Sequence, residues 1–203
     1  FDKSKKISLD DESFRSELLS IASKIDDVIP LGRGDPDFHT PKHIVDAAKK
    51  ALDDNKHHYT PPNGLPELRV AISKNLLEKY NLNYSDNEIV VTAGVQESIA
   101  LAMLSLLETG DEVLITSPRF TTYDLNVRMC NAKPVPIPTY EKNNFSLMPE
   151  IIENKINERT KVIVLVSPNN PTGAVTPPEN IKKIAEIAIK YNLIVIADEI
   201  YAD

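Results

Sequence analysis

Four short stretches place chemically capable side chains where a small molecule can be gripped: "VTAGVQESI", "TSPRFTTY", "VSPNNPTGAV" and "LIVIADEIYAD". Each begins with, or contains, the end of an apolar, β-branched run. In an open α/β sheet, ligands collect at the carboxyl ends of the strands, so residues following such runs share one edge. Gly94, at a strand-to-helix turn, lets the N–H groups of Val95 and Gln96 approach an anion at the positive end of a helix. Phe120 can cover a flat ring or simply pack in a core. Asp198 ends an apolar run, where a carboxylate is costly to bury unless paired. Its partner would be a helix end, backbone amides or a protonated heterocycle. Asn170 and Tyr201 can each bond a phenolic oxygen, or serve as a turn former and an interface aromatic. As a set, these residues suit a ligand with a phosphate, a planar ring, a basic ring nitrogen and an oxygen substituent.

The elements that must position them follow from hydrophobic periodicity. Short β-branched runs at 88–94, 112–118, 133–138, 161–168 and 193–199 predict strands. Helical segments at 96–108, 121–130, 149–156 and 178–191 separate them. Strands alternating with helices predict parallel βαβ units. Val162 to Val166 and Ile194 to Ala197 are apolar on both faces, as expected of strands lying between two helix layers. Upstream, Phe14, Leu18, Ile21 and Ile25 fall on one helical face. Thr40 and Pro41 predict an N-cap and a first helical residue, followed by the stripe Ile44, Ala47, Ala48, Ala51 and Leu52. A further helix is expected from Pro66, with Leu65, Leu68, Ile72, Leu76 and Tyr80 near one face. Thr176 to Glu179 reads as a capping box.

Composition excludes several function classes. Of 203 residues, 41% are hydrophobic and 26% charged, as in ordinary soluble globular proteins. A net charge of −7 and a pI near 5.2 argue against a nucleic-acid surface. Cys130 is the only cysteine, so no internal disulfide is possible, and no Cys/His spacing suggests zinc. His57 and His58 are adjacent, which on a helix keeps them from converging on a metal. No apolar run approaches the roughly 18 residues of a membrane span, and the N-terminus has no signal-peptide core. A reducing, cytoplasmic compartment is expected.

Pyridoxal 5′-phosphate carries all four ligand features. A carboxylate opposite its pyridine nitrogen favours the protonated ring, which is an electron sink for chemistry at an amino-acid α-carbon. The stretches "LGRGDPDFHTP", "HYTPPNGLPELR", "VTAGVQESI", "GDEVLITSPRFTTY", "SPNNPTGAV" and "ADEIY" stand in family order and spacing. In these the chain resembles the N-terminal half of a fold type I, class I/II aminotransferase of the aspartate-aminotransferase-like branch, from about Leu31 to Tyr201. A dinucleotide-binding Rossmann domain is not supported, since no G-x-G-x-x-G follows the first predicted strand.

The resemblance implies an α/β fold: an incomplete three-layer α/β/α large domain with a mostly parallel sheet over 41–203. Residues 1–40 would form an N-terminal arm and part of a small domain. If the family's strand order holds, the strand at 88–94 has no sheet neighbour within this chain. The implied activity is transfer of an amino group from an L-amino acid to a 2-oxo acid. Catalytic roles are implied for Asp198, at the ring nitrogen, and Tyr201, at the ring's O3′. Gly94, Val95 and Gln96 would hold the phosphate, Phe120 would stack on the ring, and Asn170 would bond O3′ and help orient the substrate carboxylate. Gly34 would lie over that carboxylate and Arg33 near the substrate side chain. Tyr59 would reach the phosphate of the other subunit of a homodimer with a shared active site. A cis peptide is implied at Asn170-Pro171. Val95 and Gln96 depart from relatives that carry a second glycine or a hydroxyl there; backbone donors survive the change, a hydroxyl contact does not. The family's cofactor-bearing lysine follows the "DEIY" motif at a distance that places it past residue 203, which implies that these residues alone are inactive. Other fold type I reactions stay open at this point: C–S lyase, decarboxylase or aminocyclopropane-carboxylate synthase-like chemistry, or a non-catalytic cofactor-domain piece.

Overall fold

A computed structural model of the chain describes residues 17–18, 20–25, 27–29 and 37–202. They divide into two compact units that meet in sequence between Thr92 and Ala93. Residues 17–18 and 20–22 are helical, within the helix expected there; Phe14 lies outside the described residues.

The first unit carries α1 (Lys42–Asp53) and α2 (Pro66–Tyr80). Helix α1 starts one residue later than expected. Pro41 is its N-cap, with φ −53° and ψ 138°, and Thr40 makes no cap. The φ of Pro41 suits a helix, and it is the extended ψ that makes this proline the turning residue. Helix α2 ends at Asn81, which turns left-handed at φ 56° and closes the last turn onto Leu76 and Leu77 carbonyls. Its expected apolar face is largely open, with Leu65, Leu68 and Tyr80 exposed. The buried residue is Arg69, whose Nη1 donates to the Asp86 carbonyl at 2.6 Å. A capping box does form in this unit, between Ser85 and Glu88.

The second unit begins with α3 (Val95–Leu106), then β1 (Glu112–Ser117), α4 (Thr122–Met129) and β2 (Lys133–Pro138). It continues with α5 (Pro149–Glu153), β3 (Thr160–Val166), α6 (Pro178–Tyr191) and β4 (Ile194–Asp198). The strands form one parallel sheet in the order β2-β1-β3-β4. Side chains alternate across a strand, and here the alternation splits the core into two layers. Val113, Ile115, Val162, Val164 and Val166 pack with Ile99, Met103 and Val127 from α3 and α4. Leu114, Ile163 and Leu165 pack on the other face with Ile152 and Ile184 from α5 and α6. Val113, Leu114 and Ile115 are each fully buried, worth about 1.5–3 kcal/mol apiece. The parallel α/β sheet with helices on both faces is thus the class expected.

Two details differ. Residues 88–94 do not form a strand: Ile89 is extended, but Val91 bonds only across to the Asn63 carbonyl at 3.1 Å. An extended segment becomes a strand only with a neighbour, and none is present for it among the described residues. Thr176 does not cap α6, because Pro177 takes the N-cap position and shifts the start to Pro178. Strand β2 alternates prolines at 134, 136 and 138, so it can serve a ladder on one side only, and it lies at a sheet edge.

Candidate functional site

From β1 the chain moves outward to β2, then crosses back to β3 on the other side of β1. In open α/β sheets such a reversal marks where ligands bind, here the carboxyl ends of β1 and β3. The loop bearing Phe120 follows β1, the turn bearing Asn170 follows β3, and Asp198 closes β4 opposite Val166. The strand order therefore brings Phe120, Asn170, Asp198 and Tyr201 to one edge.

Asp198 is half-buried and well partnered. The buried Tyr123 phenol donates to its Oδ2, and the Ile200 N–H donates to Oδ1 at 3.1 Å. Burial first, then the bond to Asp198, pushes the Tyr123 phenol far above its ordinary range, so it remains a proton donor. Asn170 Nδ2 donates to Tyr201 Oη at 3.3 Å, which pairs the two groups expected to share an oxygen substituent. Phe120 is half-buried against the α3–α4 core layer. Its loop is fastened by Arg119, whose Nε and Nη2 reach Asp124 at 2.9 and 2.6 Å and whose Nη1 donates to the Thr116 carbonyl at 3.3 Å. The peptide bonds Ser117-Pro118, Ser167-Pro168 and Asn170-Pro171 are cis.

The turn expected to take an anion heads α3. Gly94 has φ 87° and ψ 168°, a conformation that side-chain-bearing residues avoid, and a Cβ built there would meet nothing within 4 Å. The space before the turn is open. The first N–H groups of α3, on Val95 and Gln96, have no carbonyl partner within the helix, and its dipole adds positive potential. The Glu97 carboxylate accepts the neighbouring Ala93 N–H. Gln96 Nε2 donates to Thr122 Oγ1 at 3.1 Å. Unpaired helix-start N–H groups, an aromatic side chain and a carboxylate on one unit fit a phosphorylated, cationic ring.

Tyr59 lies in the first unit and is fully exposed. Arg33 and Gly34 lie outside the described residues. Sequence reasoning passed over Tyr123, yet a signal was present. Tyr123 and Val127 are one turn apart on the buried face of α4, so a tyrosine there must find its hydroxyl a partner at the sheet.

Comparison with known proteins gives this arrangement its context. The family "Aminotransferase class I and II" matches residues 26–203. The chain belongs to this family. It is similar to an aspartate aminotransferase of Pyrococcus horikoshii, 47% identical over 185 residues, covering 91% of this chain and 47% of that protein. A probable aspartate aminotransferase of Methanocaldococcus jannaschii is 45% identical, with 91% and 48% covered. An alanine aminotransferase from Pyrococcus furiosus superposes with a TM-score of 0.91 at 34% identity, over 98% of this chain and 52% of that one. The chain spans about half the length of the curated relatives it matches. Among the described residues, no helix is long and apolar enough to cross a membrane.

Proposed function

We propose that the protein carrying this chain is a pyridoxal-phosphate-dependent aminotransferase that moves an amino group from an L-amino acid to a 2-oxo acid. When bound, pyridoxal phosphate supplies a protonated pyridine ring that draws electrons from the amino-acid α-carbon. This chain's residues would bind and tune it. Val95 and Gln96 N–H groups at the Gly94 turn would take the phosphate. Phe120 would cover the ring, and Asn170 with Tyr201 would bond its O3′. Asp198 would hold a proton on the ring nitrogen, with Tyr123 fixing the carboxylate. The orientation of Asp198 supports this best: a half-buried carboxylate at a strand end, held on both oxygens, at the edge where the anion turn also belongs to the same unit.

Aspartate is the donor to test first, because relatives at 45–47% identity carry that name. Gly34 and Arg33 would attend the substrate carboxylate and side chain. Tyr59 would reach the phosphate of the other subunit in a cytoplasmic homodimer. Residues 1–40 would belong to an arm and small domain, and 41–203 to the large domain. The test is turnover by the full-length protein with aspartate and a 2-oxo acid. Stoichiometric oxo-acid-dependent amino transfer supports the reading. Carbon dioxide released from aspartate without an oxo-acid acceptor, or, in parallel assays, sulfide from cysteine or a cyclopropane product from S-adenosylmethionine, would replace it with another reaction of the same fold.

A further inference from the structure

Three consecutive residues in the first turn of α4 each bond a different part of the candidate site. Thr122 accepts from Gln96, beside the anion turn, at 3.1 Å. Tyr123 donates to Asp198. Asp124 takes both arms of Arg119, which flanks Phe120. The three contacts reach back across 26 residues, forward across 75 and back across 5.

We propose that this turn is the positioning element of the cofactor cradle, with Asp124 and Arg119 setting the Phe120 platform and Thr122 setting Gln96. The inference rests on the cofactor reading above. Arg119 would pass on sequence grounds for an anion ligand, but its guanidinium is committed. Its fork faces Asp124, its remaining arm meets the Thr116 carbonyl, and the pair is only 16% and 20% exposed. A planar fork against a carboxylate fixes direction as well as distance, which a lysine cannot reproduce. The bonds from Arg119 close residues 116–124 into a ring, and Phe120 lies inside that ring. The face it presents is therefore set before any ligand arrives. Asn169 braces the same loop from the turn after β3: its Nδ2 lies 3.4 Å from Thr116 Oγ1 and 3.5 Å from the Pro118 carbonyl, and its side chain is buried. Arg119, Thr122 and Asp124 thus act through Phe120 and Gln96, as positioning residues.

The test uses the full-length protein with Asp124→Asn, Arg119→Lys, their double variant, Thr122→Val and Asp198→Asn. Four quantities are read: pyridoxal-phosphate affinity of the apoprotein, visible circular dichroism of the bound cofactor, the split of KM from kcat, and thermal unfolding. An achiral ring acquires visible dichroism only from fixed asymmetric surroundings, so a loosened platform lowers that signal even where absorbance is unchanged. Asp124→Asn and Arg119→Lys should each lower kcat roughly 10- to 100-fold with KM little changed, as expected when a reacting geometry slips by about an ångström. They should weaken the dichroism, and the double variant should be no worse than either alone. Thr122→Val, which keeps the side-chain shape, should chiefly weaken cofactor affinity. If Asp198→Asn is impaired while the α4 variants lose only thermal stability, with dichroism and kcat intact, the positioning role is overturned and the cofactor reading stands. If Asp198→Asn behaves as wild type, the cofactor reading itself fails.

Discussion

Gly94 and Gly110 form a matched pair that separates a functional turn from a merely strained one. Both have strongly positive φ, 87° and 93°, and at both an added Cβ would meet nothing within 4 Å. Gly94→Ala and Gly110→Ala therefore carry the same kind of cost, backbone strain without a clash, on the order of 1–3 kcal/mol each. Their positions differ. Gly94 caps α3 at the carboxyl edge of the sheet, whereas Gly110 precedes β1 at the amino edge, where its N–H bonds the Asn131 carbonyl at 3.0 Å. A turn relieves strain by rotating toward negative φ. At Gly94 that rotation swings the Val95 and Gln96 N–H groups away from a bound phosphate. One hydrogen bond to a charged group is worth about 1.5–3 kcal/mol, so losing one should raise the cofactor Kd roughly 10- to 100-fold. Titration of pyridoxal phosphate into the two full-length apoproteins, alongside thermal melts, reads both effects. The expected result is similar destabilisation in both and weakened binding only in Gly94→Ala. Wild-type affinity in Gly94→Ala, or equal weakening in Gly110→Ala, refutes the assignment of the phosphate to this turn.

Other perturbations have defined outcomes. Asp198→Asn keeps an acceptor for the Ile200 N–H and can donate to the Tyr123 oxygen, so stability should fall by only about 1 kcal/mol while kcat drops roughly 10²–10³-fold or more, checked by melts and steady-state rates. Tyr123→Phe should leave the alkaline limb of the pH–rate profile in place, because burial and Asp198 keep that phenol protonated far above its ordinary range. Glu112 is held below the ordinary carboxylate range, chiefly by Asn157 Nδ2 at 2.8 Å and also by Lys133 at 3.1 Å. Its stabilisation is present above the ordinary glutamate range and lost as pH falls through the lowered value, so Glu112→Gln should flatten that part of the acid-unfolding curve measured by circular dichroism. Gly64→Ala should destabilise by about 2–4 kcal/mol, since the new Cβ would lie 2.7 Å from Val91 Cβ and Cγ2 at φ 96°. Adding Val91→Ala should relieve part of that loss, because Cγ2 goes while the backbone strain and the Cβ contact stay.

The sheet was legible because its strands carry their own signal. The run from Val162 to Val166 is apolar on both faces and must lie between layers, wherever its neighbours are. Residues 88–94 carry the same β-branched signal and form no strand, since pairing belongs to the neighbour as much as to the segment. Helices α1 and α6 start one residue later than Thr40 and Thr176 suggest: Pro177 precedes Pro178, which keeps it extended and makes it the N-cap, and Pro41 is likewise extended at ψ 138°. At the site, the residues that would touch a ligand were legible from type and position after a strand. Those that hold them were not. Nothing local marks Tyr123 as reaching Asp198 75 residues on; that partnership exists only once β1, β3 and β4 lie side by side.

The most direct measurement is a crystal structure of the full-length protein grown with pyridoxal phosphate. The pyridine nitrogen should lie within hydrogen-bonding distance of Asp198, with Tyr123 still bonded to that carboxylate and the phosphate on the N–H groups that follow Gly94. A ring nitrogen facing any other group, or a phosphate seated away from the start of α3, would contradict that arrangement.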